Sequence, residues 1–76
     1  MSLEKFTSLI ADEFQEIDPS LITADADLED IIPLSSLNVI LIMAIVKVEY
    51  GIDLDVKELK TCTSIRDVYE KCIINK

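Results

Sequence analysis

The sequence predicts an all-α fold: a small four-helix bundle with a long loop between helices 1 and 2 and a short third helix. Three observations carry this. Half of the residues are hydrophobic, yet there are only two Phe, two Tyr and no Trp, so the core must be aliphatic. A single Gly leaves too few turn residues for the reversals of a sheet. Apolar residues recur at helical spacing near both ends of the chain. At 76 residues the chain makes one domain, 1–76, with a core near the lower limit for folding without staples.

The first helix is marked by Leu3, Phe6, Leu9, Ile10, Phe14 and Ile17, which share one stripe while Glu4, Asp12, Glu13 and Glu16 lie elsewhere on the wheel. It is expected to end at Asp18-Pro19, because proline disfavours helix in the residue before it and has no N–H for the preceding turn. Residues 18–35 then form a long connection. Loops of this length are usually functional or disordered. Leu21, Ile22, Leu28, Ile31 and Ile32 supply apolar anchors that favour an ordered one.

A second helix is expected over about 36–50. Helix and buried strand compete here, since Val39, Ile40, Ile42, Ile45 and Val46 are β-branched. The length of the run, the serines at its head and Gly51 at its end favour helix. After Ile52-Asp53-Leu54, a short helix covers Val56 to Lys60, and Thr61 to Thr63 form a break. The last helix starts at Ser64, with Asp67 three residues on in a capping-box-like arrangement. Its stripe is Ile65, Val68, Tyr69, Cys72 and Ile73.

Charge and missing residue types narrow the function. The net charge is −8, and residues 1–30 hold nine acids and one base whereas residues 31–76 hold six of each. An acidic front half argues against nucleic acid and anionic membrane as partners, both of which need a basic surface. It fits either a solvated face that keeps the chain soluble or a docking patch. There is no His, which removes the usual general base and the commonest metal ligand. No catalytic residues, no metal site and no enzyme activity are expected. Cys62 and Cys72 suit neither a zinc site nor a redox pair, and read as reduced thiols. With no apparent signal peptide, and an apolar run from Val39 to Val46 far short of the roughly 20 residues of a membrane span, the expected location is the cytoplasm.

The stretch Pro33-Leu34-Ser35-Ser36-Leu37-Asn38 is the most telling in the chain. Pro33 discourages helix at Leu34 and serines are good N-caps, so the second helix begins at Ser35 or Ser36. Both serines fit a capping role alone. Ser36 equally fits a handle at the positive end of about four helical turns, where backbone N–H groups favour an attached or bound phosphate.

These features together resemble the acyl carrier protein family over nearly the whole chain. In that family a serine within a short Asp-Ser-Leu motif carries 4′-phosphopantetheine. The aligned residues here are Ser35-Ser36-Leu37. Glu49-Tyr50-Gly51-Ile52-Asp53-Leu54 is similar to the family's Glu-Phe-Gly-Ile-acid-aliphatic segment, and Thr63-Ser64-Ile65-Arg66-Asp67 to its Thr-Thr-Val-x-Asp start of the last helix. Asp27-Leu28-Glu29-Asp30-Ile31 resembles the lead-in to the modified serine. The resemblance implies a bundle of the acyl-carrier type and a covalent 4′-phosphopantetheine on Ser36. It also implies a phosphopantetheinyl transferase and acyl-transferring or synthase enzymes as partners.

The sequence departs from the family's pattern in two respects. Ser35 replaces the acidic residue that helps the transferase recognise its target. Along the second helix, Asn38, Leu41, Lys47 and Val48 stand where many members carry acids for docking. A helical wheel puts Val39, Ile42, Met43, Val46 and Tyr50 on one side, expected to face the core, and Leu37, Ile40, Leu41, Ala44 and Val48 on the other. A helix apolar all round needs cover on both faces. The outer face is either a contact surface, for a partner enzyme or a second copy in a homodimer, or is overlain by the loop or the third helix.

The expected function is a discrete carrier that holds an acyl or aminoacyl group as a thioester on the prosthetic arm at Ser36, as in fatty acid, polyketide or nonribosomal synthesis. Val46, Leu54 and Ile65 are candidate walls for sheltered cargo. The alternative is an unmodified carrier-like interaction or dimerisation module that uses the outer face of the second helix.

Overall fold

The computed structural model describes residues 2–74. In chain order, α1 spans Leu3–Glu13, a 3-10 turn Pro19–Leu21, α2 Leu28–Ile31, α3 Ser36–Tyr50, α4 Val56–Lys60 and α5 Ile65–Ile74. The regular structure of the described residues is all helical, as expected, but there are five α-helices rather than four. The additional one is α2, a single turn within the long connection. Asp27 caps it by accepting from the Glu29 N–H at 3.1 Å, and Glu29 and Asp30 place negative charge in its first turn. This cap followed by acids is the helix-start signal that the loop assignment of 18–35 overlooked.

Side-chain burial explains how the elements meet. α1 packs against α3 and α5, and α3 against α4. One core holds Phe6, Ile10 and Phe14 from the first segment, Val39, Ile42 and Val46 from α3, Leu59 from α4, and Ile65, Val68 and Cys72 from α5. The rings of Tyr50 and Tyr69 flank Phe6 at centroid distances of 5.8 and 6.1 Å. Both tilted contacts lie within the favourable aromatic range.

α1 stops at Glu13, short of the expected end at Asp18. Phe14 leaves the helical region at φ −108°, ψ 59°, and its ring is buried. Asp18 serves the next element instead, accepting from both the N–H and the Oγ of Ser20 at 2.9 Å. α1 thus ends at Phe14, four residues before Asp18 and ahead of any effect of Pro19.

Three expected anchors of the connection, Ile22, Leu28 and Ile32, are buried, and Ile31 is half-buried. Leu21 is not an anchor. It lies 56% exposed on the 3-10 turn. Two long-range backbone bonds fix the connection to the start of α5: Leu28 N–H donates to the Thr63 carbonyl at 2.8 Å and Arg66 N–H to the Ala24 carbonyl at 3.0 Å.

Gly51 ends α3 at φ +68°, and its N–H donates to the Lys47 carbonyl at 2.9 Å. A Cβ there would meet nothing within 4 Å, so glycine answers the left-handed backbone and not crowding. At the start of α5, Ser64 Oγ accepts from the Asp67 N–H at 3.2 Å. The Asp67 carboxylate returns to Thr63, accepting from its N–H at 3.0 Å and its hydroxyl at 2.6 Å.

Candidate functional site

The chain enters α3 through a tightly bonded turn. Pro33 offers its carbonyl to the Ser35 N–H and to the Asn38 Nδ2, each at 2.8 Å. Leu34 N–H donates to the Glu29 carboxylate at 3.3 Å, which ties the turn to α2. Ser35 is the N-cap, at φ −67°, ψ 166°. Its hydroxyl accepts from the Asn38 N–H at 3.3 Å and its carbonyl from the Val39 N–H at 2.9 Å. Serine caps a helix about as well as aspartate does, so the replacement of the acid keeps the helix start and removes only its charge.

With Ser35 committed to the cap, Ser36 is free for another task. It is the first residue of α3 and is exposed, and its hydroxyl has no hydrogen-bond partner among the described residues. The N–H groups of Ser36 and Leu37 are likewise unpartnered there. They are the open donors that the first turn of any helix leaves. The first acid on α3 is Glu49, near its far end.

Ser36 also lines a groove of about 180 Å3 between α3 and α4, together with Val39, Ile40, Val56 and Lys60. Reading the sequence placed Ser36 but missed Val56 and Lys60. No local signal points to them, because only the packing of α4 beside α3 brings them to the serine.

The outer face of α3 stays largely uncovered. Leu37 is 65%, Ile40 61% and Val48 81% exposed, and Ala44 is also exposed. Leu41 departs from the wheel and packs, half-buried, against the core. Further along, Ala44 and Val48 line a hollow of about 220 Å3 with Leu9, Ile45 and Glu49. Lys47 at the end of this face turns to Asp53, with its Nζ 3.1 Å from the carboxylate. Val46, Leu54 and Ile65, the candidate cargo walls, are buried in the common core.

The two thiols stand apart from this site. Cys62 and Cys72 are free and buried, and burial pushes both thiols up from their ordinary value, away from the reactive thiolate. Among the described residues no group of three or more acids and cysteines could hold a metal ion, and no helix is long and apolar enough to cross a membrane.

Comparison with protein families matches residues 4–72 to the family described as the phosphopantetheine attachment site. The chain belongs to this family. No curated protein and no solved structure shows a significant match. Domains of the phosphopantetheine attachment family are non-catalytic carriers and the site of covalent 4′-phosphopantetheine attachment. The α3 start fits the group. An exposed hydroxyl free of partners offers the oxygen for a phosphodiester, two open N–H groups and the helix dipole favour its charge, and no acid in the first turn opposes it.

Proposed function

We propose that this chain carries an acyl or aminoacyl cargo as a thioester on 4′-phosphopantetheine attached to Ser36. The observation that carries the reading is the division of labour between the paired serines. Ser35 caps α3, which leaves the Ser36 hydroxyl exposed and unpartnered at the helix start, in a chain of the phosphopantetheine attachment family. Once attached, the group supplies a terminal thiol on a flexible arm. The protein contributes a rigid base for that arm, held by the bonds of Pro33, Ser35 and Asn38.

The partners in this reading are a phosphopantetheinyl transferase and acyl-transferring or synthase enzymes. Leu37, Ile40, Ala44 and Val48 form the surface that meets them, with Leu41 contributing from its edge. Docking is then apolar and nearly independent of salt, in contrast to docking by acidic side chains.

The test is the intact mass after incubation with a broad-specificity transferase and coenzyme A. The parent gains one phosphopantetheine and Ser36→Ala gains none. No gain in a folded parent, nor in Ser35→Asp, which restores an acid before the serine, would overturn the reading.

A second reading is favoured by the exposed apolar face itself. In it the chain is an unmodified module, or a homodimer, joined through that face. It predicts that Ser36→Ala leaves complex formation intact and that Leu37→Lys or Val48→Lys abolishes it. Both lysines replace well-exposed side chains, so the fold tolerates them.

A further inference from the structure

We infer that the groove between α1 and α3 docks a basic amphipathic helix of a partner protein, whose apolar side chains enter the hollow at Ala44 while its lysines or arginines meet carboxylates on the rim. This contact is separate from the carrier reading and does not depend on modification of Ser36.

The floor is apolar. Leu9 of α1 and Ala44, Ile45 and Val48 of α3 line a hollow of about 220 Å3. Leu9 and Ile45 are half-buried, and Ala44 and Val48 are exposed. Ala44 is the smallest side chain of the outer face of α3, with Ile40 and Val48 one turn to either side, and forms its low point. The hollow falls below the roughly 300–1,000 Å3 of small-molecule sites and suits an anchoring side chain of a helix laid along the groove.

The rim is acidic. Glu49 borders the hollow on α3. Asp12 and Glu13, three and four residues beyond Leu9, neighbour it on the surface of α1 and are exposed. The Phe6 ring meets Tyr50 while Leu9 shares the hollow with Ala44 and Val48, so α1 and α3 run antiparallel. Asp12 and Glu13 therefore lie toward the end of the hollow opposite Glu49. None of these three acids forms an ion pair among the described residues. The only base on α1 is Lys5, one turn before Leu9.

Charge selects the occupant. Three carboxylates against one ammonium favour a cationic partner. A second copy of this chain is the weaker occupant of the hollow, because a two-fold interface brings the same acidic patch in from both sides, on chains of net charge −8 each. An anionic membrane is repelled in the same way. The groove also leaves the candidate attachment point uncovered. Ala44 and Val48 lie about 12 and 18 Å along the helix axis from Ser36 at the rise of an α-helix.

The test uses the unloaded full chain with isotope-labelled methyl groups, so its outcome is independent of attachment at Ser36. The probe is a synthetic amphipathic helical peptide of leucine and lysine, set beside the same peptide with glutamate for lysine. The lysine peptide is expected to shift the methyl signals of Leu9, Ala44, Ile45 and Val48, to show nuclear Overhauser contacts to Leu9 and Ala44, and to leave the Ser36 amide signal in place. Its binding weakens several-fold as salt is raised. The glutamate peptide does not bind. Glu13→Lys combined with Glu49→Lys weakens binding several-fold, whereas Glu4→Lys combined with Glu70→Lys, the same charge change outside the hollow, does not. Ala44→Glu adds an acid but fills the hollow, and it too weakens binding. All five replaced side chains are exposed, so the variants keep the fold. No binding, contacts scattered over other faces, equal loss in the two double variants, or tighter binding to Ala44→Glu would overturn the inference. A parent that sediments as a dimer, and as a monomer once Val48→Lys is introduced, would overturn it as well by giving the face to a second copy.

Discussion

Arg66 holds Asp25 through two side-chain hydrogen bonds, Nε to Oδ1 at 2.6 Å and Nη2 to Oδ2 at 3.1 Å, across 41 residues of chain. The fork joins the long connection to the first turn of α5, beside the backbone bond from Arg66 N–H to the Ala24 carbonyl. The guanidinium holds the Asp25 carboxyl below its usual range, and Asp25 in turn raises Arg66. Both side chains are well exposed, which limits what the pair adds to global stability. Its effect is local. Arg66→Ala is expected to speed amide hydrogen exchange in residues 22–28 while leaving the unfolding midpoint nearly unchanged. Raised salt should act in the same direction in the parent. Unaltered exchange in the connection would show that the backbone bonds alone hold it.

The anchors of the connection differ in weight. Leu28 is buried at 1% exposure and Leu21 is exposed at 56%. Leu28→Ala should therefore cost about 2–5 kcal/mol in denaturant unfolding, the range for emptying a buried leucine site. Leu21→Ala should stay within about 0.5 kcal/mol, as surface changes usually do. Equal costs would contradict the described packing.

Asp67 gives the fold an acid-sensitive joint. The Thr63 hydroxyl, then the Thr63 N–H, hold its carboxyl below the usual value. A carboxylate lowered in the folded state adds stability that is complete above its unfolded pKa of roughly 4 and is lost as pH falls through the lower folded value. Asp67→Asn is therefore expected to lower the melting midpoint at pH 7 by a few degrees, and the gap to the parent should close toward pH 3. A gap that is constant with pH would place the effect elsewhere.

Tyr50 packs its ring on Phe6, yet its buried hydroxyl has no hydrogen-bond partner among the described residues. Desolvation by burial raises its pKa. An unsatisfied buried hydroxyl is a cost, so Tyr50→Phe should leave stability unchanged or raise it by up to about 1 kcal/mol. A clear loss in thermal unfolding would reveal a partner for the hydroxyl.

Local pattern determined much of this protein. The stripes of α1 and α5, the serine caps, the short helix Val56–Lys60 and the glycine at the end of α3 were legible because each depends on side chains within a few positions of one another. Through the ordered motifs, the phosphopantetheine attachment family was legible for the same reason. Tertiary structure decided what lies between distant residues. α1 ended early at Phe14, Leu28 rather than Leu21 became an anchor, Leu41 turned toward the core, and α4 brought Lys60 and Val56 to the groove at Ser36. These outcomes depend on which surfaces exclude water together. That property belongs to the packed chain, and helical periodicity does not encode it.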